Sequence, residues 1–451
     1  MITSPAFAGK AYAVLGLARS GAATVRSLVA SDAIVVAWDA NAERRDTFDN
    51  EFFDWASGRD WSSFRDGNVN LVLEDLEHLD NLTIDGFDAL IVSPGVPLNR
   101  HPIAITARAV GTPIIGDIEL FAQARADLPP HKVVGITGTN GKSTTTALVH
   151  HILQTAGIPS LMGGNIGLPI LAQEPLPDGG VYVLELSSYQ IDLTFSLDCD
   201  VAVLLNITPD HLDRYDGFEG YAASKARLFA MQSKGHAAVI GISDVASAQI
   251  ARSLSARGED LTKIAPGVCM DQSRWPSLQG PHNAQNALAA ISVCEALGVS
   301  NAAIDAGLAS FKGLPHRMEQ VATRSGVAFV NDSKATNPES TAPALAAFDR
   351  IHWIVGGRAK GAELDACRPH FGHVTHVYTI GEAGPVFAEL LRGAGLPVSE
   401  SGTLAQAVAD AAANGQAGDT VLLSPASASF DQFRDFEDRG DQFRKLVEAL
   451  S

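Results

Sequence analysis

Short runs of β-branched and other apolar residues recur along the chain, and within each run nearly every position is apolar instead of every second one. Strands covered on both faces have that pattern, and such strands belong to parallel sheets. The first stretch carries four of them, at 11–16, 34–39, 89–93 and 113–115, with a helical pattern at 20–31 between the first two. That is a βαβ unit. A second stretch has runs at 133–137, 181–186, 201–208 and 237–242. It also has a helix starting at Lys142, another carrying Lys225, and an alanine-rich helix at 284–297. A third stretch has strands at 328–331, 352–355, 376–380 and 420–423, each closing towards Gly, Ser or Asp. The alternation predicts a parallel α/β architecture throughout. Breaks at 128–131 (LPPH) and 314–317 (LPHR) divide the pattern, and 451 residues exceed one ordinary core. The expected organisation is three α/β domains, 1–121, 122–313 and 314–451. The segment 41–67, rich in Asp, Arg and Trp, has no period and no element is assigned to it.

Composition narrows the partners. The chain is 46% hydrophobic and 19% charged, as globular proteins are, and its 33 basic residues against 51 acidic ones leave a net charge of −18. With no basic run to offset that charge, nucleic acid and anionic membrane surfaces are excluded as partners. If the ligands are anions, the few basic residues must be gathered where those anions bind. Cys199, Cys269, Cys294 and Cys367 show no C-x-x-C spacing and read as core residues of a reducing compartment. No cationic start leads into a long apolar core, and no apolar run approaches the roughly 20 residues that span a bilayer. A cytoplasmic, non-inserted protein acting as a monomer is expected.

The densest chemistry lies at 133–145, VVGITGTNGKSTT. Strand, glycine-rich turn and helix start make an anion site, because free N–H groups and the positive end of the helix dipole point at one place. Gly138, Thr139, Asn140 and Gly141 form the turn, Lys142 adds a point charge, and the hydroxyl of Ser143 or Thr144 can ligate Mg2+ between phosphates. In the pattern G-x-x-x-x-G-K-[ST] the first glycine is replaced by Ile136, with Gly135 one residue further out. An ordinary strand-to-helix turn is the plain alternative; a nucleoside triphosphate site is the reading preferred.

A weaker signal stands near the N-terminus. Gly16-Leu17-Ala18-Arg19-Ser20-Gly21 follows the dinucleotide fingerprint except that Ala18 replaces the glycine that admits a pyrophosphate. Asp39 ends the next strand, where a ribose-binding carboxylate is expected. A diphosphate nucleoside other than NAD fits better than NAD. Ser93-Pro94-Gly95-Val96-Pro97 is a turn past a strand's carboxyl end, where open α/β sheets bind ligands; a plain turn is as good a reading. In the second stretch Glu185 ends a strand and suits a Mg2+-binding carboxylate. His211 follows the next strand between Asp210 and Asp213, and either a surface residue or a ligand of a second metal otherwise held by oxygens would explain it. Lys225 by itself reads as a solvated helix lysine.

Seven motifs in one order change that balance: GTNGKST, ELSSYQ, NITPDHLDRY, HNAQNALAA, GLPHRME, NDSKATNP and LLSPASASFDQF. Together they resemble the Mur ligases, and the last three resemble those members that add D-glutamate to UDP-N-acetylmuramoyl-L-alanine. The resemblance implies a Rossmann-like first domain for the UDP substrate, a P-loop ATPase-like central domain and a Rossmann-like third domain for the amino acid. It implies an ATP-dependent ligase working through an acyl phosphate with two Mg2+ ions. By it, Lys142, His211 and Lys225 would be catalytic, Ser143 and Glu185 would hold one Mg2+, and His211 would hold the other with Lys225 carbamylated by CO2. Asn165, Asn283, Asn286, Arg317, Asp332 and Lys334 would contact ATP or order its site, with the third domain closing as a lid. Helix capping is the plain alternative for Asn283. Thr336, Lys360, Ser429 and Phe436 would grip D-glutamate, Ser429 at a helix start. Arg19, Ser20, Asp39, Ser93 and Gly95 would hold the UDP group, although Asp39-Ala40-Asn41 lacks the hydroxyl and arginine the family can place after the aspartate. A sister Mur ligase or a folylpolyglutamate synthase-like enzyme is the alternative within this class, and a non-catalytic nucleotide switch the alternative outside it.

Overall fold

The computed structural model describes residues 1–57, 70–76, 84–210, 212, 214–258, 260–265, 270–275, 277–359, 361 and 363–450. Three sheets carry it. The first holds β1 (Ala11–Leu15), β2 (Ile34–Trp38), β3 (Leu71–Leu73), β4 (Ala89–Val92) and β5 (Ile114–Ile115), ordered β3-β2-β1-β4-β5. The second holds β6 (His131–Thr137), β7 (Ser160–Gly164), β8 (Gly180–Glu185), β9 (Val201–Leu204), β10 (Ala237–Gly241) and β11 (Asp260–Ile264), ordered β11-β10-β9-β6-β8-β7. The third holds β12 (Glu319–Arg324), β13 (Val327–Asn331), β14 (Ile351–Gly356), β15 (Val374–Ile380), β16 (Val398–Gly402) and β17 (Thr420–Leu423), ordered β12-β13-β17-β14-β15-β16.

Every central strand was announced by its apolar run, and the runs are apolar because helices cover both faces. β4, β8, β9, β14 and β17 are buried at every position. The strands the sequence did not announce are β3, β7, β11, β12 and β16, and each stands at the edge of its sheet. An edge strand has one neighbour and a wet flank, so it tolerates Asp, Thr, Lys, Ser and Glu, as in DLTKI and VSESG. Two expectations need correction. β12 runs antiparallel to β13, so the third sheet is not wholly parallel. The run at 201–208 leaves the sheet after Leu204, because from Leu205 onward the chain turns across the end of β6 and Asn206 bonds to the loop there. Part of the unassigned segment, Ala42–Ser57, is a helix with only Phe48 and Phe52 buried, which explains its lack of an apolar stripe; 58–67 lie outside the described residues.

The chain forms two compact units: Met1–Ala265 with Ala289–Ile304, and Pro266–Leu288 with Asp305–Ser451. The first unit contains the first two sheets, which share one apolar cluster running from Tyr12, Val14 and Val35 to Val133, Tyr182 and Leu204. The second unit contains the third sheet, packed on both faces around Trp353, Leu422 and Phe387 on one side and Phe443, Tyr378 and Leu423 on the other. No helix among the described residues is long and apolar enough to cross a membrane.

Candidate active site

In the first unit β6 delivers the chain into the turn and helix Lys142–Thr155. The odd glycine spacing has a packing cause. Gly135 lies inside β6, where a Cβ would stand 2.7 Å from Cys199 Sγ, so its glycine serves the core and not the loop. Gly138 has φ 151° and a Cβ there would press on Leu205; Gly141, with φ 87°, turns the chain into the helix. No side chain caps that helix, so its first N–H groups face the turn as an anion site. The turn is clamped by Asn206, whose amide accepts from the Asn140 N–H (2.9 Å) and donates to the Asn140 carbonyl (3.1 Å).

Two lysines converge on this turn. Lys142 Nζ donates to the carbonyls of Gly138 (2.9 Å) and Thr139 (2.8 Å). Lys225, from the helix Gly217–Ala230, donates to the same Gly138 carbonyl (3.0 Å) and to Thr137 Oγ1 (3.3 Å). Lys225 is only 1% exposed, so it is no solvated helix lysine. Burial holds its amine well below the usual lysine range, the Lys142 charge pushes it the same way, and Asp210 and Asp192 oppose them. Its ammonium also lies 4.7 Å over the Tyr221 ring.

Glu185 ends β8 in register with Ile136 of β6, which puts its carboxylate at the same sheet edge. It is 2% exposed; Oε1 accepts from Asn165 Nδ2 (3.0 Å), while Oε2 is buried without a hydrogen-bond partner. An orphaned carboxylate oxygen beside a phosphate-type turn fits a hard divalent cation. Among the described residues no group of three His, Cys, Asp or Glu could hold a metal, so a cation here would complete its shell with Ser143 and with phosphate or water oxygens. His211 lies outside the described residues.

The five residues expected at the UDP group, Arg19, Ser20, Asp39, Ser93 and Gly95, line one cavity of about 870 Å3 together with Asn165 and Gln190. Asn165 thus joins this cavity to Glu185. Asp39 does more structural work than expected: its two oxygens accept the main-chain N–H groups of Leu17 (2.8 Å) and Asn41 (2.9 Å), tying the glycine turn to β2. Arg44 also reaches the cavity, and Arg45 lies 4.0 Å over Trp38 instead.

In the second unit, the chain leaving β13 and β17 gathers most of the remaining candidates. Asp332 is buried; Ser424 Oγ donates to it (2.8 Å), and burial pushes its carboxyl up to about 7 although Arg317 and that hydroxyl favour the anion. Lys334 Nζ lies 5.1 Å over the ring of Phe436, and the Thr336 N–H donates to the Lys334 carbonyl (2.9 Å). Ser429 opens a turn, not a helix: the helix starts only at Phe436, because Asp435 supplies its N-cap by accepting from the Asp438 N–H. Asn283 does not cap its helix either. Its amide donates to the Gln279 carbonyl (3.0 Å) and accepts from Asn286 (3.0 Å). Lys360 lies outside the described residues.

Residues 136–268 match the Mur ligase middle domain and residues 316–427 the Mur ligase glutamate ligase domain. The UDP-N-acetylmuramoylalanine–D-glutamate ligase of Novosphingobium aromaticivorans is 60% identical over 100% of this chain and 97% of its own length. That of Zymomonas mobilis is 58% identical, covering 100% of both. This chain belongs to the Mur ligase family. The crystal structure of the UDP-N-acetylmuramate–alanine ligase MurC from Thermotoga maritima shares the fold at 16% identity, with a TM-score of 0.58 over 98% of this chain and 99% of that one.

Sequence reasoning missed several groups in this Mur ligase. Thr137 and Asn206 fell inside the predicted strand runs 133–137 and 201–208, and Tyr221 and Asp192 were not singled out. Arg439 was missed too: it is fully buried, and it donates to Ser333 Oγ (2.9 Å), the Ser333 carbonyl (2.8 Å) and the Ser427 carbonyl (3.0 Å), pinning the two loops that leave β13 and β17. The signal available was an arginine on the apolar face of its helix, beside Phe443.

Proposed function

We propose that this Mur ligase adds D-glutamate to UDP-N-acetylmuramoyl-L-alanine at the expense of ATP, in peptidoglycan precursor synthesis, as a cytoplasmic monomer organised in segments 1–121, 122–313 and 314–451. The observation that carries this reading is the meeting of Lys142 and Lys225 on the Gly138 carbonyl beside the unpartnered Glu185 oxygen. A binding module needs one lysine at such a turn. A second, buried and held towards its neutral form, suits chemistry.

The substrate carboxylate oxygen attacks the γ-phosphorus and ADP leaves, giving an acyl phosphate; the D-glutamate amine then attacks the carbonyl carbon, phosphate leaves and the amine proton passes to solvent. Bringing two anions to 4 Å costs about 4 kcal/mol per charge pair at an effective dielectric near 20. Lys142 and the helix N–H groups offset that charge. Mg2+, when bound, adds further neutralisation, with Ser143 and Glu185 assigned to one ion and His211 and carbamylated Lys225 to the other. The carbamate forms when the neutral Lys225 amine attacks CO2, making an N–C bond and releasing a proton. Gly138, Thr139, Asn140, Gly141 and Thr144 cradle the phosphates. Asn165 orders Glu185, and Asn283, Asn286, Arg317, Asp332 and Lys334 are assigned to the nucleotide. Thr336, Lys360, Ser429 and Phe436 are assigned to D-glutamate. The cavity at Arg19, Ser20, Asp39, Ser93 and Gly95 takes the UDP group.

Phosphate release measured with UDP-N-acetylmuramoyl-L-alanine and a panel of amino acids tests the reading. Turnover with D-glutamate supports it; turnover with meso-diaminopimelate but not D-glutamate reassigns the chain to a sister ligase.

A further inference from the structure

In a chain this acidic, arginines are usually claimed by a carboxylate, as Arg26, Arg125, Arg350, Arg392 and Arg444 are. Arg108, Arg214 and Arg227 are in no ion pair among the described residues, and all three line a single cavity of about 670 Å3 in the first unit. That size suits a small-molecule site. Two of the guanidiniums are held in place without a counter-charge. Arg214 donates to the Val96 carbonyl (2.8 Å) and lies 4.4 Å over the Tyr189 ring. Arg227 donates to the Thr194 carbonyl (2.9 Å) and lies 5.1 Å over Phe195, whose ring is 54% exposed at the mouth. Tyr189 and Tyr215 stack with centroids 6.0 Å apart and planes 12° apart; of the two acids that line the cavity, Asp192 and Asp216, the first accepts from the Tyr215 hydroxyl (2.8 Å). Aromatic faces fix the cations, and their N–H edges remain for a carboxylate.

We propose that this cavity is a second ligand site, separate from the substrate cavity, for a small planar aromatic carboxylate. Its ring would rest against Tyr215 and Phe195, and its carboxylate on Arg108 and Arg214. The two cavities share only Pro94 and Val96, and Arg214, which lines only the first, donates to the Val96 carbonyl. The same cavity is floored by Ser224, next to Lys225, so an occupant touches both the lip of the substrate cavity and the helix that carries the buried lysine. It is placed as an effector site.

The test is calorimetric titration of the full chain with 2-naphthoate, with and without saturating UDP and ADP, and with the neutral 2-naphthalenemethanol as control. Arg108 is exposed and makes no side-chain hydrogen bond or ion pair among the described residues, so Arg108→Ala leaves folding out of the question; Arg214→Ala is the second variant. Saturable binding is expected that persists in UDP and ADP, weakens about tenfold in either variant, and is about tenfold weaker for the alcohol. Absence of saturable binding, displacement by UDP, or equal affinity for the variants or the alcohol overturns the proposal. None of these outcomes depends on the ligase reading.

Discussion

The first unit contains two strand–glycine–helix turns built on the same backbone device. After β1, Gly16 takes φ 97°, and the helix Arg19–Ala30 starts without a side-chain cap. After β6, Gly138 takes φ 151°, and the helix Lys142–Thr155 also starts uncapped. Both therefore present N–H groups to an anion. Their surroundings differ. At the first turn Asp39 ties down the Leu17 N–H and the Ser93 hydroxyl donates to the Gly16 carbonyl, so neighbouring groups stiffen the backbone and add no reactive atom. At the second, two lysines share one carbonyl and a carboxylate oxygen lacks a partner. On the proposed reading the helix start holds a phosphate, and what β8 and the helix Gly217–Ala230 bring to it makes the difference between holding and transferring it.

Substitutions at the second turn should therefore strike the rate, and those at the first the affinity. The largest effect is expected for Lys142→Ala, with kcat down about a thousandfold and an unchanged circular-dichroism melt, since a preorganised charge on the transferring group is removed. Lys225→Arg keeps a cation but cannot form a carbamate, and kcat should fall about a hundredfold; near-normal turnover would leave charge as the only role of Lys225. At the first turn, a Cβ on Gly16 would meet the Ser93 side chain at 2.8 Å and at a left-handed φ. Gly16→Ala should thus raise the KM for the UDP substrate about tenfold while kcat changes less than about twofold. A loss of kcat as large as that at Lys142 would erase the distinction between the turns.

The smallest effect concerns stability. Asp332 has a folded-state pKa of about 7 against an ordinary value near 4, so the folded chain binds the extra proton between those limits. Its contribution to stability is therefore greatest at low pH and is lost as pH rises from about 4 to about 7. His282, which burial pushes down to about 4, works in the opposite sense, because the unfolded chain binds its proton first. Asp332→Asn removes the first contribution alone. Its melting temperature should gain on the parent's steadily across that window; a constant difference would contradict a buried, proton-binding Asp332.

The contrast between the turns also marks how far sequence alone could reach. Central strands and the phosphate turn were legible, because burial on both faces and the order of Gly, Lys and Ser leave a local signature. Edge strands such as β11 and β16 were not, since a wet flank removes the periodic constraint. The candidate site was legible where a residue's own chemistry marks it, as with Lys142 and Glu185, which lie at the turn after β6 and at the end of the neighbouring β8. It was illegible where a residue acts by holding another: Asn206 clamps Asn140, Arg439 pins Ser333, and Asp39, read as a ligand group and lining the cavity assigned to the UDP group, also clasps the Leu17 loop. Such roles depend on partners 22 to 106 residues away, which no local pattern encodes.

The central claim is that the buried Lys225 amine makes the second turn a reactive centre by taking up CO2. Turnover with UDP-N-acetylmuramoyl-L-alanine, D-glutamate and ATP, measured in CO2-depleted buffer and again after adding bicarbonate, tests it directly. The account predicts a depressed rate that bicarbonate restores in the parent chain and leaves unchanged in Lys225→Arg. The same rate in the parent with and without CO2 would contradict it.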